Sequence, residues 1–366
     1  MWIKKLEIKN FGVFEEATFV FSDKVNLLVG TNDTGKSSIL KLIYAVIMAY
    51  RERMSERKLY SKPDNVIFGD WFMKVFLPDK LGDLVRKFSF GNQRAEILVE
   101  TEEFICELSF SRKAEKQMGN VEIDVLSAKE RFQPDEIYLV PPFDVVFLDE
   151  AVDMLKEYPI FPVYIERLLN AVKVAKRLKP RLSKEIQEIM QGIREKMNGH
   201  LTVSDEKFIF RRGQTSFNAK MVADGFRKLG VFDLLLRSNK LRNGTILLVD
   251  EPESTLNPEM AVMLVELLYK ISIAKNVQIF VSTHDYFVAS MFRLKALENK
   301  DVPSNALFDL TEKFSRVFSI YYLVKRNAVV VESSPLSVPL GEDNPIVATF
   351  VELFEMEKRL NEYEKI

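Results

Sequence analysis

A single cysteine, Cys106, stands in the whole chain, so no disulfide forms within it. That excludes a disulfide-built scaffold and fits a reducing compartment. Net charge is nearly absent: 52 Lys+Arg face 53 Asp+Glu, a formal charge of -1. A chain-wide electrostatic hold on nucleic acid is thereby excluded, and any DNA contact has to come from a local patch. No uncharged apolar run reaches the roughly 18 residues that a membrane-spanning helix needs. The opening Met1-Trp2-Ile3-Lys4-Lys5-Leu6-Glu7 has no apolar run behind its lysines and does not read as a secretory leader. These absences set the expectation of a cytoplasmic protein. Histidine is scarce too, with 2 in 366 residues, so the placement of each one matters. What is plentiful is apolar side chain, at 47%. That supplies a sizeable core, in one large α/β unit or about two domains.

Short β-type runs at 2–9, 17–21 and 24–29 open the chain, and the third ends in Val25-Asn26-Leu27-Leu28-Val29. From Ser37, Ile39, Leu40, Leu42, Ile43, Val46 and Ile47 recur at helical spacing. Alternation of period two returns at 95–125, through Ile97 and Val99, then Phe104, Cys106 and Leu108, and predicts antiparallel strands. Residues 149–197 read as helices broken by Pro159, Pro162 and Pro180. Phe208 and Phe210 fall on a hairpin strand, a helix follows Gly225, and apolar strands at 245–249 and 277–281 bracket another helix. A hairpin is expected around Arg326-Asn327, and a last helix from Asn344-Pro345.

Four segments carry chemistry. Gly30-Thr31-Asn32-Asp33-Thr34-Gly35-Lys36-Ser37 matches G-x-x-x-x-G-K-S between an apolar strand and a helix. Glycine lets the backbone wrap closely around phosphates and turn consecutive amides inward, Lys36 neutralises β- and γ-phosphate charge, and Ser37 offers a hydroxyl to Mg²⁺. The helix start, with Ser38, aims its positive end at the same charge. Second, Ile246-Leu247-Leu248-Val249 delivers Asp250 and Glu251 at a strand end. Asp250 is suited to hold magnesium and Glu251 to polarise water as a general base. Third, His284 follows directly on the next strand, where it can contact the γ-phosphate. Fourth, Ala223-Asp224-Gly225 precedes a helix and offers a second anion-binding helix start. Taken singly, the last two also suit a structural histidine and an ordinary helix N-terminus.

The ordered set resembles the ABC-type ATPase heads, in the branch that includes SMC and RecF-like proteins and the ATPase part of OLD-type proteins. Leu6-Glu7-Ile8-Lys9-Asn10-Phe11 is similar to that branch's first strand. Asp250-Glu251-Pro252-Glu253-Ser254-Thr255-Leu256-Asn257-Pro258 and Thr283-His284-Asp285-Tyr286 are similar to its later motifs. The resemblance implies a P-loop NTPase fold: an α/β ABC-ATPase head with a mixed central sheet, an antiparallel β lobe and a short helical insertion. The expected division is an N-terminal lobe at 1–148, the insertion at 149–200 and a C-terminal lobe at 201–366. It implies ATP and Mg²⁺ as cofactors and an ATP-dependent homodimer with two nucleotides between facing heads. Lys36, Ser37, Asp250, Glu251 and His284 then act in cis, and Ala223, Asp224 and Gly225 in trans. Two departures stand out: Ala223 occupies the signature serine's place, and Asn257 that of the dimer loop's aspartate. Gln93 and Gln133 are both candidates for the family's magnesium-contacting glutamine.

The purpose of the ATPase is less constrained. Residues 149–200 are too short for a long coiled-coil arm. A transporter subunit fits these motifs less well than the soluble branch does. Ala328-Val329-Val330-Val331-Glu332 is similar to the start of the OLD-type nuclease, yet no Asp-x-Asp pair follows, and Glu332 reads as a strand-end residue. Lys173, Lys176, Arg177, Lys179, Arg181 and Lys184, with Arg211 and Arg212, suit either a DNA contact or a solvated face. Two readings remain: an ATPase driving work on DNA or a protein partner, and an ATP-gated interaction module with little turnover.

Overall fold

The structure, a computed structural model, describes residues 2–56, 62–87, 94–114, 121–128, 136–151, 161–177, 182–297, 318–323 and 330–333. Alternating side chains build an antiparallel five-stranded sheet in the order β2-β1-β4-β5-β6. Its strands are β1 (Ile3–Phe11), β2 (Phe14–Val20), β4 (Arg94–Thr101), β5 (Phe104–Ser111) and β6 (Val121–Ala128). One face buries Leu6, Ile8, Ala17, Phe19, Ile97, Val99, Cys106 and Leu108. The opposite face carries Glu16, Glu96 and Glu107, all exposed. A period of two puts these two sets on opposite sides of the pleat.

The second sheet has six strands in the order β14-β13-β3-β12-β11-β7. Its strands β3 (Val25–Gly30), β7 (Ile137–Val140), β11 (Ile246–Asp250), β12 (Gln278–Thr283) and β13 (Phe318–Leu323) run parallel. The edge strand β14 (Val330–Ser333) pairs antiparallel with β13. Strands β3, β7, β11 and β12 are buried along their whole length, which explains their continuous apolar runs. Helix α1 (Lys36–Glu56) lies against this sheet, and at its far end Tyr50 stacks on Phe104 of the five-stranded sheet, ring centroids 3.7 Å apart. Wedged between two sheets, α1 is buried all round from Ile43 to Ala49. Helix α2 (Asp64–Phe76) covers α1, and its Phe72 and Phe76 join Phe11 and Phe110 in an aromatic cluster.

Gln278 fastens the sheets together. Its buried amide accepts a hydrogen bond from the Ile3 backbone N–H at 2.9 Å and donates to the carbonyls of Ile3 at 2.9 Å and Ser22 at 2.8 Å.

A small antiparallel sheet, β10-β9-β8, is built from β8 (His200–Ser204), β9 (Lys207–Arg212) and β10 (Thr215–Asn218). Helices α3 (Val163–Lys173) and α4 (Lys184–Lys196) stand where the helical insertion was expected. Pro162 caps α3, and the Ser183 hydroxyl accepts from the Ile186 N–H to cap α4. Both pack on the body of the molecule: α3 on α5 (Asp224–Arg237) and β7, α4 on α6 (Pro258–Lys275). Helix α7 (Tyr286–Leu297) follows β12. Among the described residues no helix is long and apolar enough to cross a membrane. The expected helix from Asn344, the candidates Gln93 and Gln133, and Lys179 and Arg181 of the cationic stretch lie outside the described residues, as do the side chains of Lys176 and Arg177. Of the hairpin expected around Arg326-Asn327, strands β13 and β14 pair antiparallel, with Glu332 opposite Tyr321, and the turn itself lies outside the described residues.

Candidate active site

Parallel register brings three loops to one sheet edge. Thr283 pairs with Val29 and Asp250 with Ser282, so the loops after β3, β11 and β12 leave side by side. The carboxyl edge of a parallel sheet is where α/β proteins place ligands. After β3 the chain turns through Asp33 (φ 64°) and Gly35 (φ 92°) before α1 begins at Lys36. At Gly35 a Cβ would meet the Phe14 ring at 2.4 Å and the Val13 side chain at 2.8 Å, so both conformation and space call for glycine there. The buried Lys36 ammonium donates to the carbonyls of Gly30 at 2.8 Å and Thr31 at 2.9 Å. Thr34 is buried and bonds back to the Thr31 carbonyl, while Asn32 and Asp33 are exposed. Burial lowers the Lys36 pKa, and the nearby carboxylates of Glu251, Asp250 and Glu253 oppose that shift.

The Ser37 hydroxyl donates to Asp250 at 2.9 Å, across 213 residues of sequence. The Ser282 hydroxyl donates to the same carboxylate oxygen, so a strand-end serine that sequence reading passed over helps hold Asp250. Glu251 has φ 44° and Thr255 φ 70°, left-handed conformations that cost on the order of 1–3 kcal/mol each in residues with a Cβ. A turn of this kind points the Glu251 carboxylate at His284, whose Nδ1 lies 3.0 Å away. His284 is 45% exposed on its side chain and Glu251 23%, so both remain open to a small molecule. Thr283 supports this turn: its hydroxyl donates to Glu253 and accepts from the Asp285 N–H at 2.9 Å. Burial raises the Glu253 pKa, and the Thr283 bond works against that rise.

The remaining site residues sit at the start of α5. Ala223 is the N-cap and supplies no side-chain bond, Asp224 is exposed, and Gly225 is buried. Here the contacts run to the loop after β11: a Cβ on Gly225 would meet the Thr255 carbonyl at 2.6 Å and Leu256 at 3.1 Å. Gly225→Ala is therefore expected to force α5 off that loop and lower stability by about 1–3 kcal/mol. Thermal melting checks it, and an unchanged midpoint would show that the close approach is not rigid. Asn257 caps α6, its side chain accepting from the Met260 N–H at 2.9 Å with Pro258 following.

Two cations inside α5 escaped the sequence reading. Arg227 is buried and joins Asp144 at 2.5 Å and Asp224 at 2.5 Å. Lys228 is 5% exposed and donates to the carbonyls of Glu251 at 2.7 Å and Pro142 at 3.2 Å, and to the Ser254 hydroxyl. Both are held by partners distant in sequence, as a buried charge requires. The end of β7, beside Asp250, continues into Pro141 and Pro142 and offers no polar side chain there. Of the cationic stretch, Lys173 pairs with Asp149 at 2.6 Å and Lys184 with Glu188 at 3.7 Å.

Fold and site together define a P-loop ATPase of the ABC type, in the SMC/RecF-like branch. Residues 1–138 match a family model described as "AAA ATPase domain". Residues 108–290, half of the chain, match one described as "AAA domain, putative AbiEii toxin, Type IV TA system", and the chain belongs to that family. Among curated proteins it is similar to the DNA replication and repair protein RecF of Ligilactobacillus salivarius, 27% identical over 143 residues, 38% of this chain and 33% of that protein. The RecF of Streptococcus thermophilus is 24% identical over 184 residues, 48% of this chain and 43% of the relative. The likeness thus spans less than half the length of either relative. In fold it is similar to an SMC head solved bound to the C-winged helix domain of ScpA, with a TM-score of 0.53 and 15% identity, covering 91% of this chain and 98% of that one. An Smc head with an extended coiled coil, solved bound to a ScpA C-terminal domain derived from Pyrococcus furiosus, gives a TM-score of 0.50 and 12% identity, with 98% and 99% covered.

Proposed function

We propose that this ATPase binds ATP on the loop Gly30 to Ser37 and hydrolyses it between two facing copies of the chain, and that the cycle acts on DNA or a protein partner. The observation that carries this reading is the pair of cross-sequence bonds at one sheet edge, Ser37 to Asp250 and Glu251 to His284. In it Gly30, Asn32, Asp33, Thr34, Gly35, Lys36, Ser37 and Ser38 cradle the phosphates in cis. Ala223, Asp224 and Gly225 meet the partner's nucleotide through amides and helix dipole, without a side-chain hydroxyl. Glu251 takes the proton of the attacking water, and His284 orients that carboxylate and contacts the γ-phosphate.

Magnesium fits the donor set. Ser37 Oγ and Asp250 Oδ1 are hard oxygens 2.9 Å apart, and this cation takes few protein ligands beside water and phosphate. When bound it would neutralise phosphate charge.

The lobes at 1–148 and 201–366 belong to this reading as two parts of one head, since both contribute strands to the six-stranded sheet, with 149–200 as the insertion. DNA is favoured as the partner because the relatives are named as replication and repair proteins. The exposed glutamates of the five-stranded sheet turn a negative face outward, which disfavours a DNA contact on that face. Ala223 favours the second reading, an ATP-gated interaction module with little turnover. Phosphate release with and without double-stranded DNA, together with light scattering, separates them. Turnover with an ATP-dependent dimer is expected, faster with DNA. ATP binding by a monomer that releases no phosphate would overturn the proposal in favour of the module.

A further inference from the structure

The loop that carries Glu251 is held in an unfavourable shape. Glu251 at φ 44° and Thr255 at φ 70° bound a five-residue turn, and a β-branched residue rarely adopts that conformation. Some interaction has to keep the turn closed. Its backbone bond, from the Ser254 N–H to the Glu251 carbonyl at 3.1 Å, contributes. The stronger hold comes from outside the loop. The Lys228 ammonium on α5 donates to the Glu251 carbonyl at 2.7 Å, to the Ser254 hydroxyl and to the Pro142 carbonyl at 3.2 Å, with the Ser254 carbonyl at 3.4 Å. The Ser254 hydroxyl in turn donates to the Pro142 carbonyl at 2.5 Å, so three segments converge on one nitrogen. An ammonium has three protons, and here each finds an acceptor.

Lys228 lies one turn into α5, on the same helix as Ala223 and Gly225. Gly225 in turn presses on the Thr255 carbonyl. The helix start and the carboxylate loop are therefore joined twice over a short span. Burial pushes the Lys228 ammonium down to about 8, opposed by the charges of Glu253, Asp250 and Glu251. That desolvation is tolerated because the amine's donors are matched.

We infer that Lys228 is a positioning residue for hydrolysis: it locks the Glu251 loop against the signature helix, so that the helix facing the partner's nucleotide and the carboxylate of its own site move as one body. This rests on the assignment of Glu251 as the water-activating carboxylate. Lys228 acts through the loop, since its bonds run to Glu251, Ser254 and Pro142. Its loss leaves the carbonyls of Glu251 and Pro142 with only their bonds from Ser254 and lets the turn relax, which moves the carboxylate away from His284.

The test uses the full chain with Lys228→Met, which keeps length and apolar stem, and Lys228→Gln, which restores two donors. Both are measured beside Glu251→Gln and the double variant Lys228→Met/Glu251→Gln. Steady-state turnover, affinity for a fluorescent ATP analogue and melting temperature are recorded. Displacement of a catalytic group by about 1 Å costs on the order of a hundredfold. For Lys228→Met, kcat is expected to fall about ten- to hundredfold with analogue affinity within about twofold, and Lys228→Gln to recover part of it. The double variant is expected to be no slower than Glu251→Gln alone, because both changes act through one carboxylate. Wild-type kcat in Lys228→Met, or a double variant slowed by the product of the two effects, overturns the inference. So does an equal loss of nucleotide affinity and melting temperature in Lys228→Met and Lys228→Gln, which marks a purely structural lysine. Failure of the underlying assignment is separately visible, as Glu251→Gln turning over like wild type.

Discussion

Glu251→Gln is expected to cut phosphate release by about a hundred- to a thousandfold while leaving ATP affinity within a few fold, since removing a positioned general base costs on that order. The amide is isosteric, so the turn at φ 44° and the contact to His284 can both persist. What is lost is the ability to accept a proton from water. Lys36, Ser37 and Asp250 are untouched, so the nucleotide still binds. If two copies close on two nucleotides, the variant accumulates as a closed dimer, because hydrolysis is the step that reopens it. Single-turnover phosphate release and light scattering in the presence of ATP measure both effects. A variant that hydrolyses at the wild-type rate would falsify the assignment of the base and direct attention to Glu253, which shares the loop and is held by Thr283.

The second large effect is expected at Lys36. Lys36→Met removes a buried cation whose bonds run to the loop's own Gly30 and Thr31 carbonyls. A charge-assisted bond to phosphate contributes about 1.5–3 kcal/mol. Loss of one such bond weakens ATP binding by roughly ten- to a hundred-and-fiftyfold. Stability should hold or rise slightly, because an apolar side chain of equal length replaces a desolvated ammonium. This split is what makes the test decisive. Weak binding with an intact melting transition locates the effect in the site, whereas weak binding with early melting would locate it in the fold. Isothermal titration with ATP and a melting curve without nucleotide are sufficient.

The sequence was most legible where backbone and chemistry demand the same residues. The loop from Gly30 to Ser37 could be read because glycine, lysine and hydroxyl occur at fixed spacing on a chain with a strand before and a helix after. Asp250 and Glu251 could be read because an apolar strand ending in two acids is rarely a surface turn. His284 gained weight from position alone, and the structure places its ring 3.0 Å from Glu251. The antiparallel lobe was visible in the alternation of Ile97, Val99, Cys106 and Leu108.

Lys228 and Arg227 were not legible, for a physical reason. On a linear chain a basic pair after Gly225 looks like a solvated helix face. Only tertiary packing buries α5 on all sides and turns the pair into internal struts. Ser282 was hidden likewise, since its bond to Asp250 exists only after β11 and β12 pair. Part of the basic stretch that suited either a DNA contact or a solvated face is ion-paired, Lys173 with Asp149 and Lys184 with Glu188. Pairing of this sort depends on which acids fold nearby, and spacing does not encode it.

Strand β3 sits in the sheet between β12 and β13, and Gln278 grips Ile3 from 275 residues away. The phosphate loop leaves the ribosome well before either neighbour of its strand is made. Closing contacts over such separations is slow, because chain entropy is lost before any pairing returns it. During translation the N-terminal hairpin β1–β2 can form by itself, while β3 waits with both edges unpaired. Nucleotide capture is thus expected to wait for the strand bearing Ser282, and a prematurely terminated chain to carry the complete phosphate motif without its neighbouring strands.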